Sequence, residues 1–133
     1  MYLVFSVLGL LGGLLCCVGD VLFDLKGKRN QKLGTSKNID SNWLKMADWR
    51  FGLSIALALI GDAFVGLGFY SIGMQIAETH SILGYLTLGC GYFGSIAGIF
   101  IHSFVCTQAL IYKGAMIHGD LQIADDILEK LYK

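Results

Sequence analysis

The chain has 133 residues, of which 55% are hydrophobic and 15% charged, with 18 glycines, no proline and a net charge of zero. An average soluble domain carries about 25% charged residues, and a mean hydropathy of +0.63 is high for a soluble protein of this length. No basic stripe lies along a soluble face, so nucleic-acid binding is excluded, and the charge-free runs point to a lipid bilayer as the solvent for most of the chain.

Met1 to Gly19 carries no charge, Phe51 to Ala77 only Asp62, and Ser81 to Tyr112 none unless His102 is protonated. An apolar run of 18 or more residues reads as a transmembrane helix, because about 20 residues at 1.5 Å each cross the hydrocarbon. Helices are expected over residues 2–25, 51–77 and 82–112. A cleaved signal peptide would need a basic n-region, a short core and a small-x-small site. No Lys or Arg precedes Lys26, and "LLCCVGD" offers no such site, so the first helix reads as retained.

Seven of the ten basic residues, Lys26, Lys28, Arg29, Lys32, Lys37, Lys45 and Arg50, fall in the connection 26–50. Lys and Arg concentrate in short cytoplasmic loops, so that loop is expected to be cytoplasmic and the N-terminus outside. "KGKRNQKLGTSKN" reads as polar and irregular. "DSNWLKMADWRFG" reads as a helix start with Asp40 or Ser41 as N-cap, and Trp43 and Trp49 suit the headgroup level. The turn at Glu78–His80 then lies outside, and the segment from Lys113 onward is cytoplasmic. His80 and His118 read as solvated, and Tyr70, Tyr85 and Tyr92 as packing or outer-interface residues.

The tail is expected to form a cytoplasmic amphipathic helix over 120–132, with Leu121, Ala124, Ile127, Leu128 and Leu131 on one face. Its other face carries Asp125, Asp126, Glu129 and Lys130, which suits docking on protein rather than on anionic lipid. The chain stops at Lys133 without a C-cap, as would half of a longer protein or a protomer awaiting partners. The whole of 1–133 reads as a single all-α membrane domain, a bundle of three transmembrane helices plus the cytoplasmic amphipathic helix.

Asp62 is the residue that most needs a reason. An ionised carboxylate at the bilayer centre costs about 2.5–3.5 kcal/mol on insertion scales, so it turns inward, pairs or takes a proton. Ser54, Ala58, Asp62 and Gly66 recur every four residues on the second helix. Gly94, Gly98, His102 and Cys106 do so on the third, and Gly12, Cys16, Asp20 and Asp24 on the first. Small residues mark where membrane helices approach closely, so Gly12, Ala58, Gly66, Gly94 and Gly98 are expected at helix contacts, with the polar groups facing inward.

Counted from Arg50 and Lys113, Asp62 and His102 both lie roughly 16–18 Å deep, and Asp20 about 9 Å deep from Lys26. Asp62 and His102 are therefore expected to pair near the midplane. Desolvation and mutual attraction oppose one another in such a pair, so it can exchange a proton near neutrality. The plain alternative is a hydrogen-bonded pair that only fixes helix register.

Cys16, Cys17, Cys90 and Cys106 all lie in apolar runs without CxxC spacing, and read as small hydrophobes rather than a disulfide framework or zinc site. Asp20 and Asp24 could bind a cation, but Lys28 follows Asp24 at i+4 as an ordinary surface partner, so no metal and no cofactor is expected. There is no nucleophile elbow, phosphate loop or HExxH. "LLGGLLCCVGDVLFDL" and "LSIALALIGDAFVGLG" echo each other, each reaching a Gly-Asp step, Gly19–Asp20 and Gly61–Asp62; repeats of this kind occur in transporter folds.

The "GD" at the end of the first helix, "WLKMADWR" before the second and the mid-membrane His102 resemble an uncharacterised family of bacterial multi-pass membrane proteins. The resemblance implies a plasma-membrane location and a longer chain with further helices, and it carries no activity with it. The leading reading is a membrane protein that binds or moves a small solute or proton through Asp62, His102 and Asp20, as a homo-oligomer or with a partner membrane subunit. The second is a non-catalytic accessory or assembly subunit. The third is a membrane enzyme acting on a lipid-like substrate, although the sequence leans against an enzyme.

Overall fold

No proline interrupts the apolar runs, and each forms one unbroken helix in the computed structural model, which describes residues 1–25, 27–34, 37 and 39–132. Lys26 of the basic connection lies outside the described residues, as do the side chains of Leu128 and Leu131. The order is α1 (Tyr2–Asp24), β1 (Lys32–Leu33), β2 (Ile39–Asp40), a 3-10 turn (Trp43–Lys45), α2 (Asp48–Ala77), α3 (Ser81–Ile117) and α4 (Leu121–Tyr132). The first three α-helices are long and apolar enough to cross a membrane. The fold is an all-α bundle in which α2 packs against both α1 and α3.

Close approach of backbones sets the packing. A Cβ added at Gly9 would lie 2.5 Å from Gly68 Cα, and one at Gly61 would lie 2.6 Å from Cys16 Sγ and 2.8 Å from the Gly12 carbonyl oxygen. The α1 face is thus Gly9, Gly12, Cys16, Gly19 and Phe23, spaced alternately by three and four residues. Alternation of this kind follows a 3.5-residue repeat and keeps two helices in register as they cross. A fixed spacing of four advances about 40° per step on a helix of 3.6 residues per turn, so the expected ridges slip out of the contact. Gly12 lies within it, and Ala58 is buried on α2.

Gly94 does not: a Cβ there would meet nothing within 4 Å. The expectation that it packs against a neighbouring helix is corrected by Gly91, three residues earlier, which lies directly under the ring of Phe69. Gly66 faces Tyr92, 3.4 Å from the site of an added Cβ. The echoed Gly-Asp steps acquire a common geometry. Gly19 and Gly61 both sit in the α1–α2 contact, and Asp20 and Asp62 each follow one position on, turned about 100° away by the helix.

The connection is more ordered than expected. β1 and β2 pair antiparallel, Lys32 opposite Asp40 and Leu33 opposite Ile39. Asp40, expected as a helix cap, is 2% exposed. Its carboxylate accepts from Asn30 Nδ2 and from Lys32 Nζ, the latter at 2.8 Å. With that oxygen committed to the hairpin, α2 starts at Asp48 behind Ala47. Trp43, expected at the headgroups, is buried against Phe23, with ring centroids 4.6 Å apart. Trp49 remains 61% exposed. Ile39, Trp43, Met46, Phe51, Tyr112 and Ala124 join Phe23 and Cys106 in one apolar cluster, so the connection and α4 form a cap over one end of the bundle.

Two cations tie that end together. Arg50 donates to the carbonyls of Leu22 and Leu25 at the C-terminus of α1. Lys113 Nζ donates to Met46 O and Asp48 Oδ1, both at 2.5 Å. The α3 helix continues past Lys113 because a charge ends an apolar run without ending a helix. It stops where Gly119, at φ +77°, donates to Met116 O and Asp120 donates to Ala115 O, a Schellman termination that only glycine adopts without strain. Lys113→Met should lower stability by about 1 kcal/mol, measured as thermal unfolding in detergent, since Asp48 is mostly exposed and the ion pair adds little beyond the hydrogen bonds.

On α4, Ala124 is buried, while Leu121 and Ile127, expected on the same packed face, are 42% and 41% exposed. A short side chain lets the helix approach α3 closely at that one point.

Candidate intramembrane polar site

Just beneath the cap, α1, α2 and α3 each contribute one polar side chain. Ser54 Oγ lies 2.6 Å from the Gly19 carbonyl oxygen and 2.7 Å from His102 Nε2. A hydroxyl has a single proton, and the Gly19 carbonyl can only accept. The Ser54 proton therefore goes to Gly19 O, and Ser54 accepts from His102 Nε2–H. That fixes the tautomer through the hydrogen-bond network. Nδ1, the other ring nitrogen, faces Asp20 Oδ1 at 3.3 Å. The His102 side chain is 15% exposed and that of Asp20 64%. Phe23 flanks the imidazole, centroids 5.8 Å apart.

Asp62 sits further from the cap, two turns past Ser54 on α2 and beside the turn of α3 before His102. Its carboxylate lies over Gly98, where an added Cβ would meet Oδ2 at 3.1 Å and Oδ1 at 3.2 Å. Cys16, on the facing turn of α1, packs its sulfur against Gly61, the residue before Asp62. The expected direct pairing of Asp62 with His102 is thus corrected: His102 bonds Ser54 and faces Asp20. Equal depth was inferred by counting from Arg50 and Lys113. The Lys113 ammonium reaches back to Met46 and Asp48, so a long side chain shifts such a count by about one helical turn.

The three candidate residues are nevertheless gathered in one region, around two adjoining clefts. One, of about 270 Å³, is lined by Asp20, Phe23, Asp24, Gly98, Ile101, His102 and Val105. The other, of about 340 Å³, is lined by Asp62, Val65, Phe69, Cys90, Gly91, Gly94 and Ser95. Gly98, at the edge of the first, is the residue on which the Asp62 carboxylate rests. Among the described residues, no group of three or more His, Cys, Asp or Glu side chains is placed to hold a metal ion. Ser54 and Cys16 were visible in sequence only as small ridge residues; a hydroxyl two turns before an intramembrane carboxylate was the available signal. Ser95 and Phe23 gave none.

A model of the Family of unknown function (DUF6796) matches residues 1–133. The chain belongs to DUF6796. No curated protein and no solved structure matches it. The DUF6796 chain therefore brings no assigned chemistry to this site, and its polar residues carry the functional argument.

Proposed function

We propose that this DUF6796 protein binds or passes a proton, or a small solute, through the site formed by Asp20, His102 and Asp62. The Asp20–His102–Ser54 chain carries the reading. With Nε2–H committed to Ser54, one proton can rest on either His102 Nδ1 or Asp20, which are 3.3 Å apart. Such a shared proton is the element a relay requires, and intramembrane ionisable groups mark ion and proton pathways. The basic connection supports an orientation in the plasma membrane with the capped end cytoplasmic and the N-terminus outside.

Asp20 is more than half exposed on a helix of membrane-spanning length. A carboxylate facing lipid is costly, which supports a homo-oligomer or partner membrane subunit covering that side. The test is reconstitution into liposomes carrying an internal pH dye, with flux driven by a potassium diffusion potential. Asp62→Asn should abolish flux while the protein stays folded and assembled. Unchanged flux in that variant would overturn the reading.

The second reading, an accessory subunit, draws on Gly94, which is open beside the exposed Phe93 and Ile96. In that case Asp62→Asn is tolerated and Gly94→Leu breaks assembly, as native mass spectrometry would register.

A further inference from the structure

We infer that the cleft between α2 and α3 beside Asp62 binds a small organic ammonium with an apolar body. This rests on the reading of Asp62 as a solute-binding residue and names the class of solute. Ser95 carries the inference. It is 7% exposed, lines the cleft, and its Oγ has no hydrogen-bond partner among the described residues. A serine within a helix commonly bonds back to the carbonyl four residues earlier. Thr87 and Thr107 do so in this same helix, to Leu83 O at 2.9 Å and Ser103 O at 2.7 Å. A buried hydroxyl without a partner is costly; this one lies toward Gly66, and a single χ1 step of Ser95 would turn it to the space that Asp62 also lines.

The chemistry of the lining selects the ligand. Asp62 lines the cleft, and a carboxylate has about four acceptor positions for a donor arriving there. The imidazole of His102 is engaged with Ser54 and Asp20. A carboxylate and a hydroxyl together suit an ammonium, which donates to both and neutralises the charge; an anion would be repelled. A bare metal ion would want more oxygens than these two side chains supply. Val65 and Phe69 give apolar walls, and the Phe69 ring adds attraction for a cation near its face. The absence of a side chain at Gly94 makes the room, while Gly91 seats the Phe69 ring. A volume of about 340 Å³ is at the small end of ligand pockets, which fits a body of one ring.

The probe is radiolabelled phenylethylamine, measured by equilibrium binding to the protein in nanodiscs, with 2-phenylethanol as the uncharged competitor. Saturable binding is expected, at least about tenfold weaker in Asp62→Asn and about fivefold weaker in Ser95→Ala, where one hydrogen bond is lost. If Asp62→Asn fails to fold, Gly94→Leu decides. An added Cβ there meets nothing within 4 Å, so leucine can fill the cleft without displacing a neighbour, and binding should be lost while the native mass spectrum is unchanged. Unaltered affinity in Gly94→Leu, or equal displacement by 2-phenylethanol, would overturn the inference. Flux is measured on the same preparation. Flux without amine binding removes only this inference; amine binding without flux removes the relay and leaves the ammonium site standing.

Discussion

Gly12→Val is expected to abolish the folded bundle, while Gly13→Val, one residue along, is expected to leave it intact. A Cβ at Gly12 would run into the carbonyl oxygen of Gly61, and would also lie 2.7 Å from Phe64 Cβ and from the Val65 nitrogen. Two of those three atoms are backbone of α2, so no rotamer change relieves the clash and the helices must part. Overpacking that side chains can absorb costs about 1–3 kcal/mol. A rigid backbone contact along the main α1–α2 seam should exceed about 3 kcal/mol, a large share of a domain's net stability. At Gly13 an added Cβ meets nothing within 4 Å, and valine is a somewhat better helix former than glycine. Circular dichroism on heating, with size-exclusion profiles in detergent, separates the two. Equal behaviour of the pair would mean that the α1–α2 seam runs elsewhere.

The second large effect is functional. His102→Gln should reduce proton flux on the order of a hundredfold, the scale at which a positioned acid or base contributes to proton transfer. The glutamine amide can still donate to Ser54 Oγ, so the link to α2 and through it to Gly19 O survives. It cannot hold a proton opposite Asp20. Because Asp20 is 64% exposed, loss of that ion pair should change stability by less than about 1 kcal/mol. Flux in dye-loaded liposomes and thermal unfolding of the same variant give both numbers. Retained flux with normal stability would reduce Asp20–His102 to a structural pairing.

The three long helices were readable from sequence because charge-free runs without proline leave few alternatives, and the amphipathic tail helix because its apolar residues recur with a helical period. The hairpin was not readable. Its strands are two residues long, and it is held by specific side-chain bonds, Asn30 and Lys32 to Asp40 and Asn42 to the carbonyls of Gly27 and Lys28. No periodicity announces such bonds. The small-residue ridges were readable as contacts but not in phase: a spacing of four named Gly12, Ala58, Gly66 and Gly98, and also Gly94, while alternation of three and four would have found Gly61, Gly68 and Gly91.

At the site, the residue set Asp20, Asp62 and His102 was legible because ionisable groups stand out in apolar runs. Their pairing was not, since it depends on helix register and azimuth to within one turn. Ser54 takes the place opposite His102 that was expected for Asp62.

Phe23 touches the His102 ring and also the rings of Trp43 and Phe51. Trp43 belongs to the cap, so the aromatic neighbour of the imidazole is shared with the membrane-extrinsic layer. Thermodynamic linkage makes the relation mutual. A change in how the cap packs is therefore also a change in the packing around His102, and the reverse.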